Sequence, residues 1–129
     1  MILLDTDVMI DLLRGYPPAK EWFDSLDDDA IFTLPGFVMM ELIQGCENKS
    51  EQERLKQHLG DYRIVWLSPE GCNKALDIFT QYHLSHNAGL IDTLVGQTAV
   101  SLNVSLHTFN KRHYQFIPGL ETVQPYVKA

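Results

Sequence analysis

Short apolar runs alternate with segments of helical period along the whole chain, and this alternation leaves little choice of fold. The first run, Ile2-Leu3-Leu4, starts at the second residue and is closed by Asp5, so Ile2–Asp5 reads as a buried strand. Asp7–Arg14 carries Val8, Ile10, Leu12 and Leu13 and stops at Gly15, which is a helical pattern. Pro17-Pro18 opens a second helix reaching Leu26, because a proline in the first turn forfeits no hydrogen bond. Ala30–Thr33 reads as a second strand, after which Pro35-Gly36 turns the chain into a helix over Phe37–Cys46. Ser50–Leu59 is a charged helix with Leu55 and Leu59 as its apolar stripe, and Arg63–Leu67 is a third strand. Ser68 caps and Pro69 opens a long helix to His86, along which Cys72, Ala75, Leu76, Phe79 and Tyr82 step by three and four. Asn87-Ala88-Gly89 ends it. Asp92–Leu102 is a further helix, Val104–His107 a strand, and Thr122–Pro125 a last short strand.

Strands alternating with helices form β-α-β units, hence a mostly parallel sheet with helices on both faces. Residues 1–129 are expected to form one domain. The chain is long enough to bury a core unaided, and it contains no repeat, low-complexity tract or linker. Asp27-Asp28-Asp29 reads as a solvated turn. Cys46 and Cys72 have neither C-x-x-C nor zinc spacing and are expected to be reduced, packed thiols of a cytoplasmic protein. Asp5, Asp7 and Asp11 interrupt any signal-peptide core, and no apolar run approaches the ~20 residues of a membrane helix.

Three acids stand in apolar company: Asp5 after Ile2-Leu3-Leu4, Glu41 inside Phe37-Val38-Met39-Met40-Glu41-Leu42-Ile43, and Asp92 after Gly89-Leu90-Ile91. A carboxylate buried alone neutralises or finds a cation. No basic residue lies in these segments, so a divalent ion is the natural counter-charge. In open parallel sheets ligands bind beyond the carboxyl ends of the strands, which is where Asp5, Glu41 and Asn110 fall. Each residue also has a plainer reading. Asp5, Thr6 or Asp7 can cap the first helix, Asp92 can cap its own helix, Glu41 can snorkel to a helix end, and Asn110 can be a turn residue. The formal charge of −7 argues against a simple basic nucleic-acid binder, but not against an enzyme whose acids are offset by bound cations.

At these residues the chain resembles a PIN domain, specifically the VapC-type toxins. The resemblance is carried by Leu3–Gly15 (LLDTDVMIDLLRG), Met40–Gly45 (MELIQG), Ile91–Ala99 (IDTLVGQTA) and Thr108–Tyr114 (TFNKRHY), whose order and spacing span essentially the whole chain. It implies a three-layer αβα sandwich with a central, mostly parallel sheet. It implies an endoribonuclease dependent on Mg²⁺ or Mn²⁺, with Asp5, Glu41 and Asp92 as the acidic ligands. Asn110 falls where the family often has a fourth acid, and Asp7 where it more often has Asn. Thr6 and Thr108 match the small hydroxyl positions that help orient the site. A homodimer and an antitoxin that covers the site are implied as well. Lys111, Arg112 and His113, just past Asn110, are candidate RNA phosphate contacts. Trp22, Phe23 and Leu26 are left open between core and partner groove. Gly96-Gln97 departs from the small, Ala-rich continuation usual in that helix.

Two other readings compete. One is a PIN-like module that only binds RNA or protein, to which the neutral Asn110 lends weight. The other is a haloacid-dehalogenase-type phosphatase, whose nucleophile motif Ile2–Val8 (ILLDTDV) also resembles, with Asp5 phosphorylated and Asp7 as the acid. That family's late acidic pair is missing from this chain.

Overall fold

The structure, a computed structural model, describes residues 1–128. Its elements begin with β1 (Ile2–Leu4), α1 (Thr6–Leu13), α2 (Pro17–Ser25), β2 (Phe32–Pro35), α3 (Gly36–Gln44) and α4 (Lys49–His58). They continue with β3 (Arg63–Val65), α5 (Pro69–His86), α6 (Leu90–Leu102), β4 (Leu106–His107), α7 (Lys111–Tyr114) and β5 (Thr122–Val123). The strands form one sheet in the order β3-β2-β1-β4-β5, and every neighbouring pair is parallel. This is the three-layer α/β sandwich expected from the alternation.

β1 sits at the centre because Leu3 and Leu4 are wholly buried, as a strand flanked on both sides requires. The edges fall to β3, with exposed Arg63, and to the two-residue β5. The chain lays β2 and β3 on one side of β1, then returns to place β4 and β5 on the other. Right-handed crossovers put the helices of these two directions on opposite faces of the sheet. The reversal makes the carboxyl ends of β1 and β4 a switch point, where a crevice opens above the sheet. Register aligns Leu4 with His107, and the Asp5 N–H donates to the His107 carbonyl at 3.0 Å. Asp5 and Thr108 therefore emerge side by side.

The core lies on both sides of β1: Val8 and Met9 of α1, Val38 of α3, and Val95 and Ala99 of α6 are buried with Leu34 and Leu106. Phe23 stacks on Phe32 at 4.3 Å, and Trp22 packs edge-on to Phe32 and over His107. Trp22 and Phe23 thus pack on the sheet while remaining half-buried.

The second strand runs Phe32–Pro35, two residues later than its expected span of Ala30–Thr33. Leu34 is fully buried and extends the pairing. Pro35 is tolerated because β1 has ended at that level, leaving Pro35 paired with β3 alone, like an edge residue. The short helix α7 was not expected, since four residues carry no period. Helix α6 starts at Leu90 with Gly89 as its cap, two residues before its expected start at Asp92. It ends, like α5, on an asparagine in the left-handed region, Asn103 at φ 55° and Asn87 at φ 50°.

Gly96, flagged as a departure in the sequence, has a packing reason. A Cβ there would run into Ile117 and crowd Tyr114 and Leu120, so the bare backbone lets segment 114–120 lie directly on α6. Gly96→Val should overpack this contact and cost about 1–3 kcal/mol, lowering the melting temperature with helix content retained. An unchanged melting transition would show that the segment does not rest there.

Candidate active site

Asp5 follows β1 and caps α1, with its Oδ1 accepting the Thr6 N–H at 2.8 Å. Capping thus explains one oxygen. Asp5 is 3% exposed, and its other oxygen accepts two hydroxyl protons, from Thr108 at 2.7 Å and Tyr114 at 2.9 Å. The plainer cap reading is therefore true of Asp5 and incomplete, because a cap needs one acceptor atom only.

The other predicted residues join through hydrogen bonds. The Thr6 hydroxyl, at the start of α1, donates to Glu41 Oε1 of α3 at 2.8 Å. Glu41 is half-buried and held toward the site by this bond. Asp92 lies in the first turn of α6 and makes no cap, since Gly89 occupies that position. Its Oδ1 faces the Tyr114 hydroxyl at 3.4 Å, and its Oδ2 lies 3.4 Å from His113 Nδ1. Asp7 accepts the Val8 and Phe109 N–H groups, both at 2.8 Å, and so pins the β4–α7 loop to α1. Thr108 completes the centre by receiving the Asn110 N–H at 3.0 Å while donating to Asp5.

Asn110 is exposed and precedes α7 without a side-chain cap bond. Lys111 and Arg112 are exposed beside it, and among the described residues His113 alone of this basic run reaches an acid. The structure thus brings Asp5, Thr6, Asp7, Glu41, Asp92 and Thr108 into one bonded cluster and sets Asn110, Lys111 and Arg112 at its rim. Tyr114 had no role in the sequence reading. The available signal was a phenol closing a basic run, since a tyrosine that buries its ring needs a partner for its hydroxyl.

Burial and then the neighbouring Asp7 charge push the Asp5 carboxyl from its ordinary 3.8 up to about 6, against the opposing bonds from Thr108, Thr6 and Tyr114. Burial also raises Asp7, opposed by the Phe109 and Val8 N–H groups. Burial, followed by the charges of Asp5 and Asp92, drives the Tyr114 phenol upward, so it acts as a donor. Among the described residues no group of three or more His, Cys, Asp or Glu side chains stands close enough together to hold a metal ion as they are placed. The donor chemistry nevertheless suits a hard divalent cation: carboxylate oxygens, and a buried Asp5 with acceptor capacity left on Oδ1 and no ion pair among the described residues.

The chain as a whole is similar to known proteins. The family model for the PIN domain matches residues 2–117. Ribonuclease VapC10 of Mycobacterium tuberculosis is 32% identical over 126 residues, covering 97% of this chain and 92% of that protein. Ribonuclease VapC of Rickettsia bellii is 27% identical, over 95% of this chain and 94% of its own. Among solved structures, a toxin–antitoxin complex from Klebsiella pneumoniae superposes with a TM-score of 0.76 at 24% identity, covering 98% of both chains. FitAB bound to an IR36 DNA fragment superposes with a TM-score of 0.78 at 22% identity, covering 100% of this chain and 98% of that one.

The raised Asp5 value fixes the sign of a pH effect. The folded state holds the proton more tightly than the unfolded chain, so Asp5 makes the fold less stable as pH rises from about 4 to about 6. The loss is complete above that window. Melting curves with chelator present should show this decline, and Asp5→Asn, which cannot ionise, should flatten it. Equal slopes in both proteins would mean that Asp5 titrates normally.

Proposed function

The chain belongs to the PIN domain family, in its VapC branch, and from that premise we propose that it is a Mg²⁺- or Mn²⁺-dependent endoribonuclease, the toxin of a toxin–antitoxin pair. One observation carries the reading: a buried carboxylate, Asp5, bonded through shared hydroxyls to the neighbourhood of Asp92 and Asp7 with no cation beside it. Residues 1–129 act as one such domain.

Asp5, Glu41 and Asp92 would hold the ion. When bound, it supplies positive charge against the phosphate oxygens and makes water a nucleophile at neutral pH. The chain's own residues do the rest. Thr6 fixes the Glu41 carboxylate, and Thr108 fixes Asp5 while receiving the backbone of Asn110. Asn110, at the rim, orients water or the scissile phosphate through its amide. Lys111, Arg112 and His113 meet the phosphates of the RNA strand, positioning it without reading its sequence. No side-chain nucleophile is required, and hydrolysis leaves 5′-phosphate and 3′-hydroxyl ends.

The partners follow from surfaces around the cluster. A cleft of about 770 Å³ runs from Thr6 and Glu41 past Ile10, Leu13 and Leu42, and suits an antitoxin segment that would cover the acids. Leu76 and Leu90, 60% and 57% exposed, line one shallow apolar hollow with Phe79 and Leu94, a face for a second copy of the chain. No helix among the described residues is long and apolar enough to cross a membrane.

Purified protein should cut RNA in Mg²⁺ or Mn²⁺ and stop on chelation. Asp5→Asn and Glu41→Gln should each abolish cutting while leaving the fold intact. Equal cutting by wild type and Asp5→Asn, prepared identically, would remove the assignment.

A further inference from the structure

The Tyr114 side chain is 2% exposed, with its ring packed over Gly96 and its hydroxyl between Asp5 Oδ2 at 2.9 Å and Asp92 Oδ1 at 3.4 Å. A phenylalanine would fill the same space, so packing does not account for the hydroxyl. A single phenol proton also cannot satisfy two carboxylates, and the unequal distances show Asp5 taking most of it. We propose that Tyr114 is a positioning residue that holds the plane of the Asp5 carboxylate, so that the oxygen on the Thr6 side faces a divalent cation, and keeps Asp92 beside it. The inference rests on reading Asp5 and Asp92 as cation ligands.

Counting acceptors gives the reason. A carboxylate oxygen offers about two lone-pair sites. Asp5 Oδ2 receives the Thr108 and Tyr114 protons and is filled, whereas Oδ1 receives only the Thr6 N–H. The remaining site is on Oδ1, so a cation meets that oxygen. A half-turn merely exchanges two equivalent oxygens, so the three donors fix the plane of the carboxylate and the position left open, before any ion arrives. Asp92 has one further partner, the exposed His113, so the phenol is its buried tether. Without the hydroxyl, Oδ2 regains a free site and Asp92 loses that tether. Removing a partner behind a metal ligand typically weakens metal affinity 10–100-fold.

Calorimetric titration of Mn²⁺ into wild type, Tyr114→Phe and Asp5→Asn tests this, alongside RNA cleavage as a function of Mn²⁺. Tyr114→Phe should bind Mn²⁺ 10–100-fold more weakly, with cleavage returning to the wild-type rate at saturating Mn²⁺. Thr108→Val removes the other hydroxyl from the same oxygen and should weaken binding in the same range, which keeps the test open if Tyr114→Phe folds poorly. Wild-type affinity in either folded variant overturns the positioning role and leaves the acidic site standing. Full affinity with a reduced saturated rate also overturns it, because Tyr114 would then act on the reaction. No Mn²⁺ binding by wild type, or equal binding by Asp5→Asn, overturns the site reading and this inference with it.

Discussion

A single buried carboxylate ties the carboxyl end of the sheet together. Asp5 ends β1, caps α1, takes the Thr108 hydroxyl after β4 and takes the Tyr114 hydroxyl of α7, while its backbone N–H bonds to His107. Four elements meet at one side chain, at the point where strand order reverses. The arrangement is costly as a structural device. Every compensation is a hydrogen bond, the adjacent Asp7 adds a like charge, and the carboxyl pKa rises as a result. A site shaped only for stability would place a cation or an apolar residue there. That unmet charge is the feature on which the proposed cation-dependent chemistry rests.

Much of this was legible in the chain because two signals were independent. Strand–helix alternation gave the parallel sheet, and acids inside apolar segments gave Asp5, Glu41 and Asp92. Topology then supplied the shared address, since residues beyond the ends of β1 and β4 must be neighbours. The misreadings have local causes. The second strand was placed early because Pro35 reads as a turn, while its tolerance depends on β1 having stopped one level below. The capping reading of Asp92 depended on a helix start two residues too late.

What stayed hidden was tertiary in origin. Tyr114 acquires its role only because α7 lies on α6 across Gly96, a packing that no period in four residues could announce. Asn110 shows the converse: its sequence position suggested a ligand, and the structure leaves its side chain at the exposed rim with its backbone serving Thr108. Asp7, read as a possible cap, also holds the β4–α7 loop through the Phe109 N–H. The basic run Lys111-Arg112-His113 thereby follows the acids at the rim, with His113 Nδ1 3.4 Å from Asp92, in a chain of net charge −7.

The central claim is that Asp5 presents Oδ1 to a divalent cation at the switch point of the sheet. Crystals grown with Mn²⁺, measured for anomalous scattering, address it directly. One strong peak is expected in coordination contact with Asp5 Oδ1 and within reach of Asp92 and Glu41. Density confined to other carboxylates, or a cluster that stays free of Mn²⁺ at millimolar concentration, would contradict it.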